Sequence, residues 1–298
     1  MNKYDGYTVK KFFHKVTDST SLSSNLIRSI AKDSNENLWF GTKNGLLLYN
    51  NKQQNFLQFH KVMDSVFTNT EIMEMGADKN GGLWFNTQGD LGYINYSQPD
   101  SKPINFASNI TNIAIGNPEK LWTNSSFGEL RSLDVTSKKA TALIKDSTLI
   151  MQKIHYGKFS KHLWLPENFN ANLNTTPFYN LPKLPHNLKP YVLLELDTET
   201  LWMGTDAGLY EYNYKERVLH KIKLNSSTLT QQIRSLYQDN NNGVWVGTLS
   251  GVYHYDPNRK IFNHTILEND SDDIIMGCLL YTSPSPRDLS TSRMPSSA

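Results

Sequence analysis

The chain of 298 residues has little cysteine, no long apolar segment and almost no excess of charge of either sign. Its single cysteine, Cys278, lies in a terminal stretch unlike the rest of the chain. The remainder therefore excludes disulfides, cysteine nucleophiles and cysteine-based zinc sites. No run of about 18 apolar residues occurs, so we expect no membrane-spanning helix within these limits. The formal net charge is +2, which gives no reason to expect nucleic acid as a partner.

Recognisable catalytic motifs are also missing. The sequence contains no Gly-x-Ser-x-Gly, no His-Glu-x-x-His and no phosphate-binding loop, and its eight histidines are scattered. Asp239–Gly243 resembles a calcium loop only in its first residues, and an Asp-initiated turn is the preferred interpretation. A glycosidase would need two positioned carboxylates, and no such pair can be identified. We therefore predict no catalytic residue, no metal site and no cofactor.

What the sequence does contain is a repeat marked by all six of its tryptophans. Each lies in a short apolar phrase, as in Leu38-Trp39-Phe40-Gly41-Thr42 and Val244-Trp245-Val246-Gly247-Thr248. Successive tryptophans are 45, 38, 42, 38 and 43 residues apart. A period of about 40–45 residues is typical of an array of propeller blades. The six tryptophans are Trp39, Trp84, Trp122, Trp164, Trp202 and Trp245.

One repeat reads as four short strands separated by turns. The clearest copy has apolar runs at residues 25–30, 38–42, 46–49 and 56–59, and turn residues such as Asn44-Gly45 lie between them. A turn that begins with Asp33 recurs at Asp78, Asp197 and Asp239. The sequence thus predicts an all-β protein, a β-propeller of four-stranded blades.

The tryptophans are interpreted as packing residues rather than as ligand platforms. The Trp strand is apolar on both faces, as expected for a strand that lies between two stacked blades. A sugar-stacking tryptophan would occur once or twice, not in every repeat. The glycines two residues after three of these tryptophans, Gly41, Gly204 and Gly247, complete the predicted blade core.

The repeat resembles a known family. Asp33–Asn50 (DSNENLWFGTKNGLLLYN) and Gln238–Asp256 (QDNNNGVWVGTLSGVYHYD) are similar to the two-component regulator propeller repeats of hybrid two-component sensors in Bacteroidetes-like bacteria. The resemblance covers Met1 to Gly277. The third copy lacks the Gly-Thr pair after Trp122, and the fourth runs from Leu165 directly into Pro166.

This resemblance implies a function. Such regions are the periplasmic, non-enzymatic part of a sensor that detects oligosaccharides or other small ligands and signals through a membrane helix to a histidine kinase. The implied partners are the ligand and the neighbouring propeller and kinase domains of the same parent chain, with homodimerisation as a further option. Two alternatives stay open: a polysaccharide hydrolase or lyase, and a secreted propeller that serves only protein interaction.

Both ends of the sequence are expected to be cut. Met1–Asp5 aligns with the end of a repeat, so Met1 is interpreted as an internal methionine, with the signal peptide and membrane helix lying outside the fragment. Residues 278–298 resemble a translated sequencing-library adapter and are predicted to be a non-native, disordered tail. The propeller is therefore assigned to residues 1–277. About seven blades are expected, with the N-terminal remnant pairing with a strand at Ile274.

The most irregular stretch, from Pro166 to Pro190, provides the candidate ligand site. It contains five prolines and a cluster of asparagine and aromatic residues on what is expected to be a decorated loop. Amides can bond sugar hydroxyls, and aromatic rings can stack on the apolar face of a sugar. We predict that Asn168, Asn170, Asn172 and Tyr179 contact the ligand. The alternative is a diverged blade that contains a spacer.

Overall fold

The structure, a computed structural model, describes residues 1–4, 9–59, 66–67, 70–97, 102–116, 120–150, 153–167, 178–224, 232–249 and 251–265. The described chain is almost entirely β-strand, and its only helical segments are two short 3-10 turns at Ser147–Leu149 and Pro185–Asn187. The predicted all-β class is thereby confirmed. The tail at 278–298 and the proposed strand at Ile274 lie outside the described residues.

The repeat folds into blades, which are numbered here by their tryptophans. Blade 1 contains β3 (Ile27–Lys32), β4 (Leu38–Thr42), β5 (Gly45–Asn50) and β6 (Asn55–Gln58). Blade 5 contains β17 (Val192–Glu195), β18 (Thr200–Thr205), β19 (Gly208–Asn213) and β20 (Val218–Ile222). Blade 6 contains β21 (Ile233–Gln238), β22 (Val244–Thr248), β23 (Gly251–Asp256) and β24 (Ile261–Thr265). Each is a four-stranded antiparallel sheet in sequence order.

Blades 2 and 3 are joined by one long strand. Blade 2 contains β7 (Ile72–Ala77), β8 (Gly82–Thr87) and β9 (Gly89–Asn95), and blade 3 contains β11 (Lys120–Ser125), β12 (Glu129–Asp134) and β13 (Ala140–Lys145). Between them, β10 (Ile104–Ile115) pairs with β9 along its first half and with β11 along its second half. The outer strand of blade 2 therefore continues directly into the first strand of blade 3.

Blade 4 departs from the predicted four-stranded antiparallel pattern. It contains β14 (His155–Tyr156), β15 (Leu163–Leu165) and β16 (Phe178–Asn180), and β16 runs parallel to β15. A parallel neighbour cannot follow a tight hairpin, because the chain must first return to the other end of the sheet. Pro166 ends β15, and the twelve residues up to Phe178 are long enough for that return. The expectation of four antiparallel strands is therefore wrong for this blade.

The tryptophans pack between blades, as predicted. Trp39 joins Ile72 and Phe85 of the next blade, and Trp202 likewise joins Ile233 of blade 6. Five of the six tryptophans are buried, while Trp245, after which no described blade follows, is half-buried. Stacking of each blade on the next thus builds a series of cores, as expected for a β-propeller.

An acidic side chain binds the indole nitrogen of five of the tryptophans. In blades 1, 2 and 6 it belongs to the predicted turn aspartate, and the Asp33–Trp39, Asp78–Trp84 and Asp239–Trp245 hydrogen bonds measure 2.9, 2.9 and 3.0 Å. The other oxygen of each aspartate accepts two backbone N–H groups of its own turn. In blades 4 and 5 the carboxylate comes from elsewhere, because the turn residue six positions before the tryptophan is Lys158 or Leu196.

The residue two places after the tryptophan decides how closely the next blade approaches. Gly204 leaves room for Ile233 of blade 6, and a Cβ there would lie 2.6 Å from its Cγ2. In blades 2 and 3 an asparagine replaces the glycine. Asn86 donates to the Thr111 carbonyl at 2.8 Å, and Asn124 donates to the Leu149 carbonyl at 2.5 Å. At this position, glycine allows close packing of the next blade, whereas asparagine forms a hydrogen bond to a backbone carbonyl.

An N-terminal hairpin covers the outer face of blade 1. β1 (Asn2–Tyr4) pairs antiparallel with β2 (Val9–Lys11). Next to it, Phe12 makes edge-on contacts with Tyr49 and Phe56, with ring centroids 5.9 and 5.6 Å apart. The hairpin therefore occupies the position that a preceding blade would take.

Candidate functional site

The first strands of the blades carry a repeated irregularity. In β3, β7, β10 and β21 the pairing register shifts at the same place, so that one residue bulges out of the ladder. The bulged residues are Arg28, Met73, Thr111 and Arg234. Bulges re-aim side chains and are frequent beside functional sites. Two of them contact a neighbouring repeat: Arg28 pairs with Glu71 at 2.7 Å, and the carbonyl of Thr111 accepts the amide of Asn86 at 2.8 Å.

The side chain of Glu74 in blade 2 contacts residues of two further blades, 3 and 4. It lies just after the bulge of β7, and its Oε2 accepts a 2.7 Å hydrogen bond from the backbone N–H of Ile113 in blade 3. Its Oε1 pairs with the ammonium group of Lys153, two residues before β14 of blade 4. The side chain of Glu74 is 16% exposed and that of Lys153 is 32% exposed. The pair thus bridges blades 2 and 4 across the inner edge of blade 3.

A cavity of about 220 Å³ lies beside Lys153. Its walls come mainly from the irregular segment of blade 4, which packs here against Met203 of blade 5. Leu181, Leu184 and Met203 are buried and apolar, whereas Asn187 and Lys189 are exposed. Thr148, Pro166, Glu167, Pro182, Leu188 and Pro190 complete the lining. The wall of the cavity thus mixes apolar side chains with polar and charged ones.

The backbone next to the cavity is held in an uncommon conformation. His186 and Asn187 both have φ of 55°, in the left-handed region that non-glycine residues seldom adopt. Three prolines line the cavity and restrict the same segment. Such strain persists only where the surroundings enforce it, and it clusters at ligand-binding sites.

Burial changes the protonation of two basic groups here. It lowers the pKa of Lys153 to about 8, so the amine still carries its charge at neutral pH. It also lowers the pKa of His155 to about 4, an effect that nearby Glu195 opposes and Lys153 reinforces. Lys153 can therefore act as a cation in the site, whereas His155 is neutral and serves packing.

Of the four predicted ligand residues, only Tyr179 lies within the described part of the chain, and it is not part of the cavity lining. Asn168, Asn170 and Asn172 lie outside the described residues. Tyr179 lies in β16 and stacks on His162, with ring centroids 4.1 Å apart and planes 13° apart. It also contacts Trp164 and Tyr214, so it belongs to the packing of blades 4 and 5.

The cavity wall overlaps the stretch that the sequence predicts as a ligand loop, and it also contains charged residues outside that stretch. Pro166 and Pro190, which bound the predicted stretch, both line the cavity. Lys153 was not singled out, although a signal exists. Glu74 lies ten residues before Trp84, and Lys153 lies eleven before Trp164, so opposite charges occupy nearly equivalent places in two blades.

Two further features of the described residues are negative findings. No three histidine, cysteine, aspartate or glutamate side chains there converge as a metal site. No helix within the described ranges is long and apolar enough to cross a membrane.

Comparison with known proteins supports the sequence resemblance. Residues 21–44 and 229–250 match the family model described as two component regulator propeller. The first stretch contains β3 and β4 of blade 1, with Trp39, and the second contains β21 and β22 of blade 6, with Trp245. The predicted resemblance is therefore confirmed in these two blades. The sequence matches no curated protein.

Solved structures show the same fold. The extracellular domain of a protein described as the hybrid two component system BT4673 of B. thetaiotaomicron aligns with a TM-score of 0.64 and 20% identity over 90% of this chain. The present chain spans only 36% of that one. Streptogramin B lyase aligns with a TM-score of 0.64 and 15% identity over 88% of each chain. Virginiamycin B lyase from Staphylococcus aureus gives 0.63 and 12%, over 88% of this chain and 89% of that one. At these identities the likeness establishes the β-propeller fold.

Proposed function

We propose that this chain is the ligand-sensing, non-catalytic propeller of the extracytoplasmic part of a hybrid two-component sensor, and that it detects an oligosaccharide. The observation that carries the proposal is the match of blades 1 and 6 to two component regulator propeller repeats. The likeness of fold to the extracellular domain of BT4673 over 90% of the chain supports it.

The cavity between blades 4 and 5 is the proposed place of ligand binding. Rigid scaffolds commonly carry function on irregular segments, and blade 4 is where this array is irregular. The cavity combines buried apolar walls with amide, hydroxyl and charged groups, which suits a molecule with both C–H faces and hydroxyls. Asn168, Asn170 and Asn172 follow Glu167 of the lining directly in sequence and are proposed to extend the contact surface.

We propose that this region of the parent protein lies in the periplasm. An adjacent propeller, a membrane helix and a histidine kinase would then lie beyond this region in the parent chain. The chain spans 36% of the BT4673 extracellular domain, which leaves room in such a protein for further extracytoplasmic structure. Reading the complete gene tests this directly: a membrane segment followed by a kinase sequence is expected, and an early stop codon would contradict it.

Ligand binding is tested on the purified chain with a panel of oligosaccharides from plant and host polysaccharides. A ligand that binds the folded state raises the melting temperature in proportion to the logarithm of its concentration well above Kd. We expect at least one oligosaccharide to produce such a shift without being converted. A panel without any shift would contradict oligosaccharide sensing.

A lyase is the second candidate function. The streptogramin B and virginiamycin B lyases share the fold over 88% of this chain, and each is matched over nearly its whole length. Product analysis by mass spectrometry after incubation with quinupristin, which accompanies the second lyase in its structure, and with each oligosaccharide separates the two candidates. Conversion of any of these compounds would favour the enzyme.

The ring is proposed to close with about seven blades. The six tryptophan-bearing blades account for most of it, and the β1–β2 hairpin already covers blade 1 where a seventh blade would lie. Residues from the Ile274 region would supply the inner strands of that blade. Removal of residues 266–277 should then lower the melting temperature, and an unchanged value would contradict closure by this segment.

A further inference from the structure

We propose that the open face of blade 6 is the docking surface for residues 272–277 of this chain, and that an ion pair between Arg234 and Asp273 fixes their register. The inference rests on the ring closure proposed above and names the contacts that make it, whatever ligand the propeller senses. The open face is the side of blade 6 on which a following blade would pack. Its tryptophan, Trp245, is half-buried, whereas the other five tryptophans are buried.

The packing between successive blades follows one rule. The tryptophan of a blade lies in the same core as an isoleucine from the first strand of the next blade. The pairs are Trp39–Ile72, Trp84–Ile110 and Trp202–Ile233. The isoleucine follows the tryptophan by 33, 26 and 31 residues. Ile274 follows Trp245 by 29 residues, within this range, whereas Ile266 follows it by only 21.

The same isoleucine fills the space that a glycine leaves in the preceding blade. A Cβ on Gly41 would lie 2.5 Å from Cγ2 of Ile72. A Cβ on Gly204 would lie 2.6 Å from Cγ2 of Ile233. Blade 6 has the corresponding glycine, Gly247, two residues after its tryptophan. Blade 6 thus has both residues that receive an isoleucine in the other blades.

A charged contact accompanies this packing between blades 1 and 2. Arg28, the bulged residue of β3, donates from Nε to Oε1 of Glu71 at 2.7 Å. The two side chains are 27% and 15% exposed. Glu71 directly precedes Ile72, so an acid and an isoleucine that are adjacent in sequence both contact blade 1. A charge-assisted hydrogen bond of this kind is stronger than one between neutral groups.

Arg234 is the counterpart of Arg28 in blade 6, and each lies eleven residues before its tryptophan. Its Nη2 donates to Oε1 of Gln232 at 2.6 Å, and its guanidinium lies 4.3 Å from the ring centroid of Tyr191. Its Nε, the atom that binds Glu71 in the blade 1 arginine, is buried and has no partner among the described residues. A buried donor without an acceptor is costly, so this position calls for a carboxylate.

The sequence offers that carboxylate where the rule places it. Of the four bulged residues, only those of blades 1 and 6 are arginines. The residue before the first-strand isoleucine is Glu71 in blade 2 and Asp273 before Ile274, but it is neutral in the other blades, where it is Leu26, Asn109 or Gln232. The arginine and the acid therefore occur together, one repeat apart. This pairing of charges identifies residues 272–277 as the occupant of the open face.

The test is hydrogen exchange of the 298-residue chain, followed by mass spectrometry of the peptides that contain residues 274–277. We expect these amides to be protected in the parent chain. Asp273→Asn should speed their exchange about tenfold, the usual worth of one charged hydrogen bond. The matched control is Asp272→Asn, which should have little effect because adjacent residues of a strand point to opposite faces.

A double-variant cycle assigns the effect to the pair. Arg234→Gln should speed exchange of the same amides as Asp273→Asn does, and the two changes together should be no worse than either one. Circular dichroism checks that Arg234→Gln keeps its fold. Asp273→Asn alters no side chain of the six described blades, so it tests the inference even if the arginine variant is unstable.

The other outcomes overturn the inference. Unprotected amides in the parent chain would show that the segment does not dock. Protection that Asp273→Asn leaves unchanged, or additive effects of the two variants, would show that it docks without this pair. Protection that increases with protein concentration would identify a second copy of the chain as the occupant. None of these results affects oligosaccharide sensing, which is measured separately by ligand binding.

Discussion

Glu195 of blade 5 accepts a 2.9 Å hydrogen bond from the indole nitrogen of Trp164 in blade 4, across the boundary between the two blades. Its other oxygen accepts the backbone N–H groups of Phe159 and Ser160 at 2.7 and 3.0 Å. These are the bonds that the turn aspartate makes within blades 1, 2 and 6. Blade 4 has no such aspartate, so its turn and its tryptophan are held by the next blade.

Replacement of Glu195 should therefore destabilise the array more than its position at a strand end suggests. Glu195 is 2% exposed, and Glu195→Ala would leave one buried donor, the Trp164 indole, and two partly buried backbone donors without their acceptor. We expect a loss of about 3 kcal/mol or more in the free energy of unfolding, measured by urea denaturation. Exposed Glu216→Ala should change it by no more than about 0.5 kcal/mol. Similar losses in both variants would show that the bonds across the boundary contribute little.

The close approach of blades 5 and 6 is testable at Gly204. A Cβ at this position would lie 2.6 Å from Cγ2 of Ile233, so Gly204→Ala should cost about 1–3 kcal/mol through overpacking. In an Ile233→Ala background the same change should cost less but not nothing, because Cγ2 is gone while Cγ1 of Val192 and Cβ of residue 233 still lie 2.7 and 2.8 Å from the new Cβ. Thermal unfolding of the four proteins gives the coupling energy. Strictly additive effects would mean that the contact is not the reason for the glycine.

Acid should destabilise the protein through His155. Its folded pKa is about 4, against 6.5 for an unperturbed histidine, because burial disfavours the charged form. Between these values the unfolded chain binds a proton that the folded chain does not, so stability falls as the pH falls from 6.5 to 4. His155→Gln should reduce the slope of stability against pH in this window, and exposed His220→Gln should not. An unchanged slope for His155→Gln would assign the acid sensitivity to other groups.

Replacement of the three asparagines before β16 should affect ligand binding, whereas replacement of Tyr179 should affect stability. Joint replacement of Asn168, Asn170 and Asn172 by alanine should weaken binding of a sensed oligosaccharide about tenfold or more, with little change in melting temperature. Tyr179→Ala should lower the melting temperature, because its ring packs on Trp164 and His162. As a reference, Trp202→Ala should cost about 3–5 kcal/mol. Unaltered binding by the triple variant would identify the segment as a spacer.

Much of the fold could be predicted because it depends on short-range patterns. The apolar runs around Trp39 and the Asp33 turn are local features of the sequence. The structure has strands at these runs and a turn at Asp33. Blade 4 could not be predicted in the same way. Its third strand runs parallel, and neither the interruption at Pro166 nor the composition that follows encodes a direction.

The sequence marks the irregular segment of blade 4, but it does not show which distant residues meet that segment. The density of prolines between Pro166 and Pro190 marked the segment that walls the cavity. The Glu74–Lys153 pair joins residues 79 positions apart, and only the stacking of blades brings them together. The same holds for Glu195 and Trp164, where a carboxylate of one repeat completes the turn of another.

Calorimetric titration of the purified chain with the oligosaccharide panel tests the central claim most directly, because the heat trace distinguishes binding from turnover. A sensing propeller should give heat that saturates at one ligand per chain and returns to baseline after each injection. Steady heat after each injection, as an enzyme produces, would contradict the account. So would an absence of heat across the whole panel.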